Sequence, residues 1–165
     1  DLKGLKGRIA PSTAYIETMA AMGAIPTELQ FSETYSALSS GVVDLAELPL
    51  STIYGARLHE VAKVISETAH FRQVVGFVIG ADYYNSLPAD IQQILVEEFE
   101  KYGVEASKEM IRYEEELKQK MQQEGVKFVT DVDIDAFKEA TKVVYTKFDK
   151  WTPGLYDTVR KIVEE

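Results

Sequence analysis

With 165 residues, 45% hydrophobic and 27% charged, the chain can bury a sizeable core and has the composition of an ordinary soluble domain. A net charge of −9 argues against nucleic acid as a partner, because neutralising phosphates needs a basic face. No run of about 18 apolar residues is present, which excludes a membrane-spanning helix. The absence of cysteine excludes disulfides and thiolate metal sites, and fits an oxidising compartment. No signal peptide opens the sequence, and a chain starting at Asp1 in mid-pattern is expected to have lost what came before.

Taken in order, residues 7–10 read as a short strand. Pro11 and Ser12 then start a helix whose apolar positions Tyr15, Ile16, Met19, Ala20 and Met22 recur at helical spacing until Gly23. Residues 25–30 are a second strand. Ser32 is the expected N-cap of the next helix, with Glu33 at the positive end of its dipole and Tyr35 and Leu38 on one face. Gly41 supplies the left-handed residue that stops this helix. Val42 and Val43 open a buried strand ending near Leu48 and Pro49. The order βαβαβα predicts a parallel sheet flanked by helices, and such sheets place ligands where strand ends meet helix starts. A helix over 51–62 and an extended segment over 64–68 follow. The run 74–79, VVGFVI, is the most continuously apolar in the chain and reads as a strand covered on both faces.

From Pro88 onward, Ile91, Leu95, Phe99, Tyr102, Ala106, Met110, Tyr113, Leu117 and Met121 repeat every three or four residues without losing phase at Gly103, predicting one helix up to Gly125. Such a helix would be on the order of 55 Å long. A compact chain of this size is only roughly 40 Å across. Either the helix kinks at Gly103 or it belongs to a larger body. A short strand over 126–130, an amphipathic helix over 133–150 and a last helix after Pro153 complete the reading, with no internal repeat or low-complexity linker.

The pattern Phe31-Ser32-Glu33-x-Tyr35-x-Ala37-Leu38-x-x-Gly41-Val42-Val43-Asp44, with Pro49-Leu50 after it, resembles the solute-binding subunits of tripartite ATP-independent periplasmic (TRAP) transporters, of the dicarboxylate-binding kind. The opening run Asp1-Leu2-Lys3-Gly4-Leu5-Lys6-x-Arg8-Ile9, then Thr68-x-His70 and Ser86-Leu87-Pro88-x-Asp90, fit the same family in the same order. The resemblance implies a type II periplasmic-binding-protein-like α/β lobe with a parallel-rich sheet and a long lobe-spanning helix, the first lobe being largely absent. It assigns residues 1–73 and 114–165 to the second lobe and 74–113 to strand and helix belonging to the missing one. An unpaired strand invites partners, so the chain is expected to dimerise, to swap 74–79, or to accompany a separate first lobe.

The chemistry concentrates on Arg8, at the end of the first strand, where a guanidinium can present parallel N–H donors to a carboxylate away from water. Read from residues alone, a surface arginine after Lys3 and Lys6 is the better reading, and the resemblance reverses it. The resemblance implies that Arg8 grips the carboxylate of the transported acid and that Phe31 packs on the ligand's carbon skeleton; a core phenylalanine is the other reading of Phe31. Relatives commonly carry Gly-Gln-Glu-Asn-Pro where this chain has Leu45-Ala46-Glu47-Leu48-Pro49. Leu48 therefore replaces a polar contact with hydrocarbon, favouring a monocarboxylate with an apolar or aromatic body. Pro11 and Ser12 could present a helix N-terminus to an anion, and Arg72 and Gln73 lie near the expected lobe crossing. His59 and His70 lack metal-ligand spacing and read as structural, and Glu114-Glu115-Glu116 as a solvated face.

The resemblance thus implies a periplasmic, extracytoplasmic binding subunit that is not an enzyme, needs no cofactor or metal, and hands an organic acid to a membrane permease. The other readings are an isolated α/β lobe with no ligand binding of its own, and an α/β enzyme, for which no nucleophile–base pair or phosphate loop is found.

Overall fold

The computed structural model describes residues 2–71 and 74–164. The chain divides into two units, Asp1–His70 with Val126–Glu165, and Phe71–Gly125.

The first unit is built on a three-stranded parallel sheet of order β2-β1-β3. β1 (Lys6–Ile9) pairs with β2 (Ile25–Glu28) through Arg8 opposite Thr27 and Ile9 opposite Glu28. On its other side β3 (Leu45–Ala46) sets Leu45 against Gly7 and Ala46 against Arg8. Alternation along β1 turns Gly7 and Ile9 to one face and Arg8 to the other. Helix α1 (Thr13–Ala21) covers the Gly7 face, where Ile9, Met19 and Ala24 form a buried cluster. A Cβ added at Gly7 would stand 2.8 Å from Met19 Sδ, so the glycine lets helix and strand approach this closely. Gly23 ends α1 with φ +90°, and Gly41, at φ +72°, follows the end of α2 (Thr34–Ser39); both are conformations that side chains disfavour.

Several local expectations change. β3 is only two residues long and begins at Leu45 rather than Val42, because Asp44 holds the chain beside β1 instead. Asp44 Oδ2 accepts from the Lys6 amide at 2.8 Å, and the Asp44 amide donates to the Lys6 carbonyl at 2.8 Å. Ser32 is not the cap before α2. It lies inside a 3-10 turn, Phe31–Glu33, which Gln30 opens and Glu33 closes by accepting from the Gln30 amide at 3.0 Å. The side chains that α2 buries are Thr34 and Ala37, with Tyr35 exposed. The helix expected over 51–62 breaks into α3 (Leu50–Gly55) and a 3-10 turn (Leu58–Glu60), because Arg57 is left-handed at φ 57° and swings Leu58 and His59 inward.

A second, two-stranded parallel pairing joins β4 (Val64–Ser66) to β5 (Lys127–Val129), with Ile65 opposite Phe128. The whole of the second unit is therefore the connection between these strands. It holds α4 (Ala81–Ser86), which the sequence reading missed, and α5 (Ala89–Gln123), which runs 35 residues and passes Gly103 without interruption. At 1.5 Å per residue α5 is about 52 Å long. The expected strand over 74–79 does not form: these residues join no ladder, and Val74 and Val78 are 90% and 97% exposed. An apolar run becomes a strand only when a neighbouring strand takes its backbone N–H and C=O groups, and no such neighbour is present among the described residues. Phe77 stacks instead on Phe99 of α5, centroids 4.5 Å apart.

After β5, Asp133 Oδ1 caps α6 (Ile134–Thr141) by accepting from the Ala136 amide at 2.9 Å. The helix expected over 133–150 tightens into a 3-10 turn, Lys142–Thr146, pinned to α1 by the Lys147–Glu17 ion pair. α7 (Leu155–Glu164) closes the chain.

Candidate functional site

Because β1, β2 and β3 run parallel, their C-terminal ends and the segments that follow them share one edge of the sheet. Arg8 reaches this edge from the central strand and is 4% exposed. Its Nε donates to the Leu29 carbonyl at 3.1 Å, and the Leu29 amide donates to the Ile9 carbonyl at 3.3 Å, so the guanidinium is tied to the loop that leaves β2. Among the described residues Arg8 forms no ion pair. Burial lowers its pKa, and the negative charge of Glu47, just past β3, offsets part of that. The same exchange acts on Glu47: burial raises its carboxyl above the usual range, and Arg8 draws it partly back. A guanidinium held this way is dehydrated, fixed at one nitrogen and only distantly compensated, which is the condition in which an arriving carboxylate gains most from a charge-assisted pair.

The other expected site residues are distributed around this edge. Phe31 starts the 3-10 turn after β2 and is 48% exposed. Leu48, half-buried, lies two residues past the β3 position that pairs with Arg8. Ser12 occupies the N-cap position of α1 but makes no side-chain capping bond. Pro11, exposed, lines a cleft of about 210 Å³ with Glu28, Leu29, Gln30 and Glu33. Arg8, Ser12, Phe31 and Leu48 do not line that cleft, whose two carboxylates make it a poor seat for an anion. Gln73 and Arg72 lie outside the described residues.

Sequence reasoning missed two features of the site: the Leu29 carbonyl that fixes Arg8, and the electrostatic coupling of Arg8 with Glu47. Both partners are far away along the chain, and no local spacing announces them. His70 accompanies Thr68, its Nδ1 lying 2.6 Å from Thr68 Oγ1, and stacks on Phe137 at 6.4 Å; burial lowers its pKa. His59 is buried and stacks on Tyr54. Among the described residues no group of side chains has metal-binding geometry, and no helix is long and apolar enough to cross a membrane.

The fold is that of a lobe of the periplasmic solute-binding proteins. Two solved structures superpose on nearly the whole chain, both titled TRAP periplasmic solute-binding proteins. One, from Actinobacillus succinogenes with bound L-galactonate, matches at TM-score 0.85 and 33% identity, covering 98% of this chain and 53% of its own. The other, an apo open structure from Escherichia fergusonii, matches at TM-score 0.86 and 32% identity, covering 99% and 53%. Residues 1–151 match the family described as bacterial extracellular solute-binding protein, family 7 (DctP), and the chain belongs to that family.

Curated relatives include the 2,3-diketo-L-gulonate-binding periplasmic protein YiaO of Escherichia coli, 31% identical over 99% of this chain and 50% of its own length. The sialic acid-binding periplasmic protein SiaP of Vibrio cholerae is 32% identical over 90% of this chain and 46% of its own. The chain thus spans about half the length of the curated relatives it matches. These relatives are named as periplasmic binding proteins rather than enzymes, and the family is extracytoplasmic.

Proposed function

We propose that this chain is the C-terminal half of a TRAP solute-binding subunit, that it holds the carboxylate of an organic acid on Arg8, and that the whole subunit delivers the acid to a membrane permease. The observation that carries this reading is Arg8 itself: 4% exposed on the central strand, with Nε already committed to Leu29 and no ion pair among the described residues. A charge kept out of water without a close partner is costly, and a ligand carboxylate supplies that partner. Related solved structures add support, since they hold bound sugar acids such as L-galactonate and L-fuconate.

In this reading residues 1–73 and 114–165 form the second lobe, and 74–113 complete a first lobe carried elsewhere in the subunit. Phe31 and Leu48 face the ligand's carbon body, Pro11 and Ser12 border it, and Leu48 tilts selection toward a monocarboxylate with an apolar or aromatic portion. Lobe closure makes affinity depend on both halves, so the isolated chain binds weakly or not at all.

The test is calorimetric titration of the full-length subunit with L-galactonate and with an aromatic monocarboxylate. Arg8→Ala is expected to weaken binding by roughly 30- to 1,000-fold, the cost of truncating a buried charge pair. Leu48→Asn is expected to shift preference toward the polyhydroxylated acid. Unchanged affinity in Arg8→Ala overturns the arginine anchor, and nanomolar binding by the isolated chain overturns the half-site reading.

A further inference from the structure

Glu47 is the second charged group at the Arg8 edge, and both belong to the same unit, so the relation between them is set within this chain. The residue before it, Ala46, is the one that pairs with Arg8 across β1 and β3. The ladder ends there. Glu47 opens the short segment to Pro49, at the start of α3, and its neighbours Ala46, Leu48 and Pro49 are all apolar. Its side chain is half-buried. Among the described residues no hydrogen bond holds the Glu47 carboxyl, and Arg8 is the one charge that acts on it; Glu28 on β2, Glu33 in the following turn and Asp44 ahead of β3 do not. The reverse holds as well, Glu47 being the one charge that acts on Arg8. The two are coupled without forming an ion pair, Arg8 Nε being committed to the Leu29 carbonyl at 3.1 Å.

An incoming carboxylate upsets this balance. The empty edge carries one positive and one negative charge; with an acid on Arg8, two negative charges share the one guanidinium in a place partly shielded from water. Two carboxylates in such a site do not both stay ionised. The ligand's carboxylate is held by a charge-assisted pair and Glu47 by none, so Glu47 is the group that becomes neutral. Resting on the Arg8 anchor of the functional reading, we propose that Glu47 takes up one proton from solvent as the acid's carboxylate docks on Arg8, so that capture of the acid is coupled to protonation of the site. Neutral Glu47 then offers an O–H donor where it had offered a charge that repels the acid. The direction of the pH dependence follows. Glu47 holds its proton more tightly in the bound state than in the empty one, so affinity is flat at high pH, rises as pH falls through the range where the two states differ, and levels off below it. For one proton the steepest rise is about tenfold per pH unit.

The experiment is calorimetric titration of the full-length subunit with L-galactonate between pH 8 and pH 5, at each pH in two buffers of different ionisation enthalpy. The ligand's own carboxyl stays ionised above about pH 5, so a proton taken up belongs to the protein. In the unaltered subunit, affinity is expected to rise by at least about threefold across the range, with net proton uptake read from the buffer dependence. Glu47→Gln, which stands in for the neutral carboxyl, is expected to take up no proton and to bind at every pH no more weakly than the unaltered subunit does at pH 8. Glu47→Asp should keep the uptake. The proton count is made on the unaltered subunit, so the test survives a variant that misfolds. No uptake in the unaltered subunit overturns the proposal, since a charge outside this chain would then balance Glu47. Uptake that persists in Glu47→Gln overturns it too, as does a loss of affinity in Glu47→Gln that is equal at every pH. If Arg8→Ala abolishes binding while the unaltered subunit exchanges no proton, the proton coupling falls and the anchor stands; if Arg8→Ala keeps full affinity, both fall.

Discussion

In the unit made of Asp1–His70 and Val126–Glu165, apolar side chains such as Ile9, Met19, Ala24 and Val43 are turned inward, and even an arginine is kept from water. In the unit Phe71–Gly125, residues of the same kinds, Val74, Val78, Ile94 and Ile111 among them, stand in solvent. The difference teaches that hydrophobic periodicity measures what a segment needs, not what it finds. Strand β1 finds two neighbours and a covering helix, whereas 74–79 finds none in this chain and stays unpaired. Exposed apolar surface of this extent marks a place where something else docks. In the functional reading above that partner is the first lobe.

Several substitutions break or sharpen the comparison. Ile9→Ala removes a side chain at the centre of the first unit's buried cluster and is expected to cost about 2–5 kcal/mol in urea unfolding. A loss under about 1 kcal/mol would mean that the cluster is not the core. Gly7→Ala places a methyl 2.8 Å from Met19 Sδ and 3.0 Å from Leu45 Cδ1, with an expected cost of about 1–3 kcal/mol. Asp133→Ala removes the cap of α6 for about 1 kcal/mol, checked by the thermal midpoint. In the second unit, Val78→Ser is expected to stay within about 0.5 kcal/mol, because its side chain is already in water. It should nonetheless reduce self-association in light scattering. A large stability loss there would show that 74–79 packs within the chain.

A pH series sharpens the same contrast, because a partly buried histidine belongs only to the first unit. Burial holds the His70 imidazole below its ordinary 6.5, so the folded state takes up that proton at lower pH than the unfolded state does. The contribution is complete above about pH 6.5 and is lost as pH falls through the folded value. His70→Asn should therefore flatten the decline of stability below pH 6.5, measured as urea midpoints across the series. An unchanged slope would remove His70 from the acid response.

Much of the local structure in both units was legible in the sequence. The β1–α1–β2 order, the stops at Gly23 and Gly41, and the continuity of α5 through Gly103 follow from local periodicity and backbone permissiveness, which depend on near neighbours. The departures depend on distant ones. Asp44 shortens β3 by bonding back to Lys6, Arg57 adopts a left-handed conformation that breaks a periodic helix, and 74–79 lacks a ladder partner. The site follows the same division. Arg8 stood out by its place at a strand end, but its tether at Leu29 and its coupling to Glu47 arise only when three strand ends converge. Phe31 and Leu48 were legible as rim residues because strand ends that meet helix starts are where such sheets place ligands, and their contact with ligand belongs to the proposal.

The most direct test of the arginine anchor compares one acid with its own neutral analogue. Calorimetry on the full-length subunit would titrate a sugar acid and its primary amide, in the unaltered protein and in Arg8→Ala. The account expects the acid to bind roughly ten- to a hundredfold more tightly than the amide in the unaltered protein, and the gap to close in Arg8→Ala. An Arg8→Ala variant that keeps the full preference for the acid would contradict it.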